Sequence, residues 1–241
     1  MRRLSLAICI ALASVANAAT ESARSTKIDP EALLWVQRMS QTLSAADAFS
    51  AQIQASQAFT TEDGAERSRT LPITLDRHDH YGIRAHAGDR WVYYNRRFLS
   101  VVDQSLGVYA NALVPGEFDL ALTTAYGSYG IAVPLADFLF TDPSQALLGK
   151  ISAASIEIPT MVGDTAAVQL RFAQPGIEWS LWLARNEQAL PLRLELTYTD
   201  EVGKPRKSFE FQAWNLQPKL DQADFEFLPE QGMAKINFLT R

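Results

Sequence analysis

The densest group of side chains able to do chemistry is Asp76, His78, Asp79 and His80, with His86 a few residues on. These are the only histidines in the chain. On an extended strand His78 and His80 would point the same way, and Asp76 would share their face, because side chains alternate. Two imidazoles and a carboxylate suit zinc or copper, so a metal-dependent enzyme using His78 and His80 is one function class to consider. The run Asp79-His80-Tyr81-Gly82 has the composition of a hairpin turn, which makes a solvated hairpin end the simpler reading.

Other chemistries are poorly served. Gly127-Ser128-Tyr129-Gly130 lacks the spacing of a serine nucleophile elbow, and no strand feeds into it. The chain has no glycine-rich phosphate loop and no HExxH pair. Asp137 and Asp142 flank Phe138-Leu139-Phe140, where burial would raise a carboxyl pKa. A local role is simpler: Asp142 precedes Pro143 as a helix N-cap, and Asp137 falls in the first turns of the preceding helix. No catalytic motif or metal set remains, no cofactor is called for, and the chain reads as non-enzymatic.

The compartment is read at the N-terminus. Arg2 and Arg3 precede an apolar run, Leu4 to Val15, and the small-x-small site Ala16-Asn17-Ala18. This is a signal peptide over residues 1–18, cleaved after Ala18, and it predicts a periplasmic protein. An uncleaved anchor is the alternative. Cys9, the only cysteine, follows Ile8 rather than a small residue, which argues against lipidation. The mature chain then has no thiol and no disulfide. Losing Arg2 and Arg3 moves the net charge from −5 to about −7. That balance argues against nucleic acid, which needs a basic footprint. No later run is long and apolar enough to span a membrane, so no transmembrane segment is expected after cleavage.

The elements follow from periodicity. Residues 19–28 are small and polar and read as a flexible leader, and residues 29–241 read as one domain. Asp29-Pro30-Glu31 opens a helix whose stripe is Leu33, Leu34, Val36, Met39 and Leu43. Phe49 to Thr60 alternates as a long strand. Leu71, Ile73 and Leu75 mark the next, with Pro72 suggesting an edge or bulged position. Short strands follow at 81–86, 90–94, 98–103 and 108–112. A helical insertion is expected over 115–150, with helices at 117–129, 135–140 and from Asp142-Pro143 to about Leu148. Further strands are expected near 152–158, 166–172, 177–183, 190–198 and 209–213, and a short extended piece at 224–227. The hairpin from Ile177 to Thr199 stands out for its apolar face: Ile177, Trp179, Leu181 and Leu183 on one arm, Leu190, Leu192, Leu194, Leu196 and Tyr198 on the other. Several strands look apolar on both faces. Trp91 and Tyr93 alternate with Val92 and Tyr94, and Trp182 opposes Trp179. A curved sheet covered by helices, with a cavity between, would account for that.

The run from Trp179 to Arg193 (WSLWLARNEQALPLR) resembles the hairpin of outer-membrane lipoprotein carrier-like proteins of the LolA/LolB type. With Met39 to Phe49, Gly130 to Pro143, Trp214-Asn215-Leu216 and Phe225-Glu226-Phe227, the chain is more closely similar to the predicted periplasmic proteins called domain of unknown function 2092. The likeness covers nearly all of residues 29–236. It implies an α+β fold: a strongly curved, half-open antiparallel barrel of about ten strands around a helical plug. By analogy with the carriers, it implies a binding or carrier protein for a hydrophobic ligand, a lipid or an acylated protein. The expected lining is Trp91, Tyr93, Leu122, Tyr126, Phe138, Leu139, Trp179, Leu181, Leu194, Leu196 and Phe211. The alternative is an envelope-stress sensor or interaction module of the same fold, with an envelope protein as partner.

Overall fold

The computed structural model describes residues 27–60 and 66–238. The expected signal peptide, most of the leader and the turn at Thr61–Gly64 lie outside the described residues. Helix α1 (Pro30–Ser44) begins where the sequence places it. The Asp29 carboxylate accepts a hydrogen bond from the Glu31 N–H at 2.9 Å, and Pro30 fills the first turn, where no amide donor is needed. Val36, Met39 and Leu43 are buried, whereas Leu34 of the expected stripe is exposed.

Six strands run in meander: β1 (Ala48–Thr60), β2 (Glu66–His78), β3 (Gly82–Ala87), β4 (Arg90–Tyr94), β5 (Phe98–Asp103) and β6 (Val108–Leu113). Then come α2 (Phe118–Tyr129), a single 3-10 turn (Ala136–Phe138) and α3 (Pro143–Leu148). A second meander follows: β7 (Ala153–Val162), β8 (Thr165–Gln174), β9 (Ile177–Ala184), β10 (Pro191–Tyr198) and β11 (Arg206–Asn215). A 3-10 turn (Gln222–Phe225) and β12 (Ala234–Lys235) end the described chain. Pairing of β11 with β1 joins the two meanders into one sheet, in the order β12-β6-β5-β4-β3-β2-β1-β11-β10-β9-β8-β7. That is twelve strands rather than about ten, all antiparallel except β12, which lies parallel to β6. The outermost strands, β7 and β12, do not pair with each other, so the sheet is open.

Laid flat, twelve strands would span roughly 50 Å. Yet the inner faces of β1 to β5 and of β8 to β11 share one core cluster with α1, α2 and α3. The sheet therefore curves around the helices. The register fixes which side chains face inward. Phe49, Ala51, Ile53 and Ala55 of β1 sit opposite Arg77, Leu75, Ile73 and Leu71 of β2, and all eight share the inner face. Pro72 lies one residue beyond the end of the β2–β3 ladder, where β2 has a partner on one side only and a missing amide donor costs no bond. Gly82 is required where β2 turns into β3. Its φ is 145°, and a Cβ there would lie 1.7 Å from the Tyr94 carbonyl oxygen.

Three expectations are corrected. Residues 135–140 do not form a helix, because Leu135 takes a left-handed conformation (φ 52°) and only the turn Ala136–Phe138 follows. Asp224 and Phe225 lie in a 3-10 turn held by the reciprocal Asp221/Asp224 capping box, where an extended piece is expected over 224–227. The end of the leader is pinned: Ile28 bridges Ala154 in parallel, and the Asp29 N–H donates to the Ala154 carbonyl at 3.0 Å.

Candidate ligand site at the mouth of the inner face

The eleven expected lining residues fall into three groups. Leu122, Phe138, Leu139, Trp179, Leu181, Leu194 and Phe211 are buried in the core, and Leu196, on the same inner face, is half-buried. These residues meet protein: Phe138 contacts Phe211 edge-on at 5.6 Å, and Trp179 stacks on Phe172 at 4.1 Å. Tyr126 is 63% exposed on the solvent side of α2. Trp91 and Tyr93 lie on the other face of the sheet altogether. Inward are their neighbours Val92 and Tyr94, both buried. Trp91 stacks on His86 at 4.0 Å, and Tyr93 meets Phe227 at 5.8 Å. The segment after β11 thus crosses the outer face as a strap, anchored by the fully buried Phe225. Both faces of β4 are apolar because each has a protein cover, helices inside and strap outside.

The histidine group is also outside. His78 stacks on Tyr81 at 4.1 Å and contacts Phe225 at 6.3 Å. Asp76 is committed to Arg84, at 2.9 Å, and to the Ser50 hydroxyl, at 2.6 Å. Arg84 also bridges to Asp224 of the strap at 2.9 Å. Among the described residues no group of three His, Cys, Asp or Glu side chains could hold a metal ion.

Space for a ligand opens at one end of the inner face, where β1, β2 and β11 extend past the helices. A cavity of 580 Å³ lies there, within the ~300–1,000 Å³ range of small-molecule sites. Its apolar lining is Ala55, Leu71, Ile73, Ala87 and Phe209 from the sheet, with Pro134 and Leu135 from the loop after α2. All but Ile73 are half-buried rather than sealed. Gly130 positions that loop: it ends α2 in a left-handed conformation, donating to the Ala125 and Tyr126 carbonyls. Leu135, also left-handed, turns the chain toward the sheet at a position L-residues rarely accept. An outer cleft of 650 Å³ lies under the strap beside Trp91 and Tyr93. Glu226, Glu230, Gln231 and Gln104 help to wall it, so an acyl chain there would strip water from carboxylates without replacing it. The inner mouth is the better site for an apolar ligand.

Charge at the mouth is concentrated at its outer end. Arg69, Arg90, Lys207, Asp89 and Asp103 line it. Arg90 pairs with Asp103 at 3.2 Å. The Asp103 carboxyl is held below its ordinary range by the Ser105 hydroxyl, the Leu106 N–H and Arg90. The opposite end of the inner face is closed by Arg77, which is 4% exposed. It pairs with Asp79 at 2.9 Å and lies 5.2 Å from the Phe118 ring, fastening the start of α2 to β2. Burial pulls its pKa below the usual arginine value, although Asp79 and Asp119 oppose that.

A family model described as a predicted periplasmic protein, DUF2092, matches residues 32–239. The chain belongs to this family. Among curated proteins, none matches. The fold is similar to that of an uncharacterised conserved protein from Thermus thermophilus, with a TM-score of 0.52 at 10% identity, covering 86% of this chain and 99% of that one. Weaker likenesses reach a LolA superfamily protein from Nitrosomonas europaea (TM-score 0.38, 10% identity, 81% of this chain and 97% of that one). They also reach the Mycobacterium tuberculosis lipoprotein LppX (TM-score 0.42, 11% identity, 80% of this chain and 100% of that one). Of the mouth residues, Ala55, Leu71, Ile73 and Phe209 belong to strands whose inward alternation the sequence displays. That Ala55, Leu71 and Phe209 form an unsealed floor depends on where the helices stop.

Proposed function

We propose that this protein is a non-enzymatic carrier or binding protein of the periplasm for a hydrophobic ligand, a lipid or the acyl chain of a modified protein. One observation carries the reading: the mouth is a ligand-sized space with a half-exposed apolar floor, continuous with the packed inner face. The mechanism is passive. An acyl chain entering the mouth leaves water and gains about 25 cal/mol per Å² of apolar surface buried, or roughly 0.8 kcal/mol per methylene. Affinity should therefore rise about fourfold for each methylene added, until the mouth is full. A chain-length series of fatty acids competing against a fluorescent acyl probe tests this. A plateau after steady gains supports a bounded apolar site; an affinity indifferent to chain length removes the proposal.

A further inference from the structure

We infer that the ligand held at this mouth is an amphiphile with an anionic head group, gripped by Arg69 and Lys207; the inference rests on the carrier reading above. The strand register carries it. Gln57 of β1 sits opposite Arg69 of β2 on one side and opposite Lys207 of β11 on the other. Two residues further in, Ala55 sits between Leu71 and Phe209, and the next row is Ile53 between Ile73 and Phe211. Side chains alternate, so all three rows face inward. Along the strands the inner surface thus changes within two residues from a cationic row to apolar ones. That order matches a molecule with a charged head and an apolar tail.

The two cations stand across three adjacent strands, with backbones about 10 Å apart. Their side chains are long enough to converge on one anion. Among the described residues neither has a carboxylate partner. Lys207 lies 5.2 Å from the Tyr198 ring, a contact that leaves its charge unneutralised. Of the remaining charges at the mouth, Arg90 and Asp103 are paired with each other, and Asp89 is exposed on the β3–β4 turn. Among the described residues the mouth therefore keeps a net positive charge, in a chain whose net charge is −5. A general acidic surface would repel anionic amphiphiles, so a local cationic pair above an apolar floor is selective for them.

The test compares three single-chain probes of equal chain length: laurate, lauroyl lysophosphatidylglycerol and neutral monolaurin. Laurate or the lysophospholipid should bind at least about tenfold more tightly than monolaurin, the scale of a charge-assisted hydrogen bond. The stronger of the two identifies a carboxylate or a phosphodiester as the head. In the R69Q/K207Q variant that advantage should vanish, while an unchanged circular dichroism spectrum and unfolding midpoint show that the variant is folded. Added salt should weaken the anionic probe and not the neutral one. Equal binding of charged and neutral probes by the unaltered protein overturns the inference and leaves the carrier reading standing. Retention of the full advantage by the variant also overturns it. Failure of all three probes to bind removes both.

Discussion

The ring of Phe138 meets that of Phe211 edge-on, with centroids 5.6 Å apart. This contact plugs the middle of the inner face. Phe138 belongs to the loop that places Leu135 at the mouth, and Phe211 lies two residues along β11 from Phe209. It therefore marks the floor at which ligand space gives way to core. Phe138 is 1% exposed, so F138A should cost about 3–5 kcal/mol in chemical denaturation. If the variant stays folded, the void should extend the mouth and lengthen the optimal acyl chain. A loss below about 1 kcal/mol would mean that the plug is not packed as described.

The cap of α3 ties the helical segments together. The Asp142 carboxylate accepts from the Ser144 and Gln145 N–H groups and from the hydroxyls of Ser144 and of Ser40 on α1. These bonds hold its pKa below the usual carboxylate value. Stability from this group is present above its unfolded-state pKa and is lost as pH falls through the lowered value. D142A should cost about 0.5–2 kcal/mol at neutral pH and little in acid, as read by denaturation at several pH values.

Tyr94 sets an alkaline limit. Its hydroxyl donates to the Pro115 carbonyl at 2.8 Å, and burial pushes its pKa up to about 12. A raised value means that the folded state keeps its proton while the unfolded chain gives it up. Stability should therefore fall as pH rises from about 10 toward 12. Ultraviolet titration should show one late tyrosine phase that Y94F removes. Persistence of that phase in Y94F would assign it elsewhere, with Tyr93, also raised by burial, the first alternative.

The outer strap should be an integral part of the fold. Phe225 is fully buried against His78 and Tyr81, and Asp224 pairs with Arg84 at 2.9 Å. F225A should destabilise by about 3–5 kcal/mol. Hydrogen exchange should then rise in residues 221–236 and across β3 and β4. Unchanged exchange in β4 would show that the strap does not cover it.

Much of the fold was legible because periodicity reports one-sided burial. The helix at Asp29-Pro30, the β4 and β5 boundaries, the N-cap at Asp142 and the hairpin of β9 and β10 all follow from local rules. The site was less legible. Trp91 and Tyr93 suggested a cavity because β4 is apolar on both faces, but alternation cannot say what covers each face. The cover is the strap, from more than a hundred residues away, and the aromatics at Phe225 and Phe227 were its one local signal. The mouth was hidden for a related reason. Arg69, Gln57 and Lys207 look like ordinary solvated strand ends until register sets them in one row above Leu71, Ala55 and Phe209.

If this protein is a carrier, an acyl chain occupies the inner mouth. Photocrosslinking with a diazirine-bearing fatty acid, followed by peptide mapping, would locate that chain. Labelling should be saturable, confined to peptides containing Ala55, Leu71, Phe209 and Pro134-Leu135, and competed away by unlabelled fatty acid. Labelling that maps to Trp91, Tyr93 and the strap, or that does not saturate, would mean that no acyl chain is held at the inner mouth.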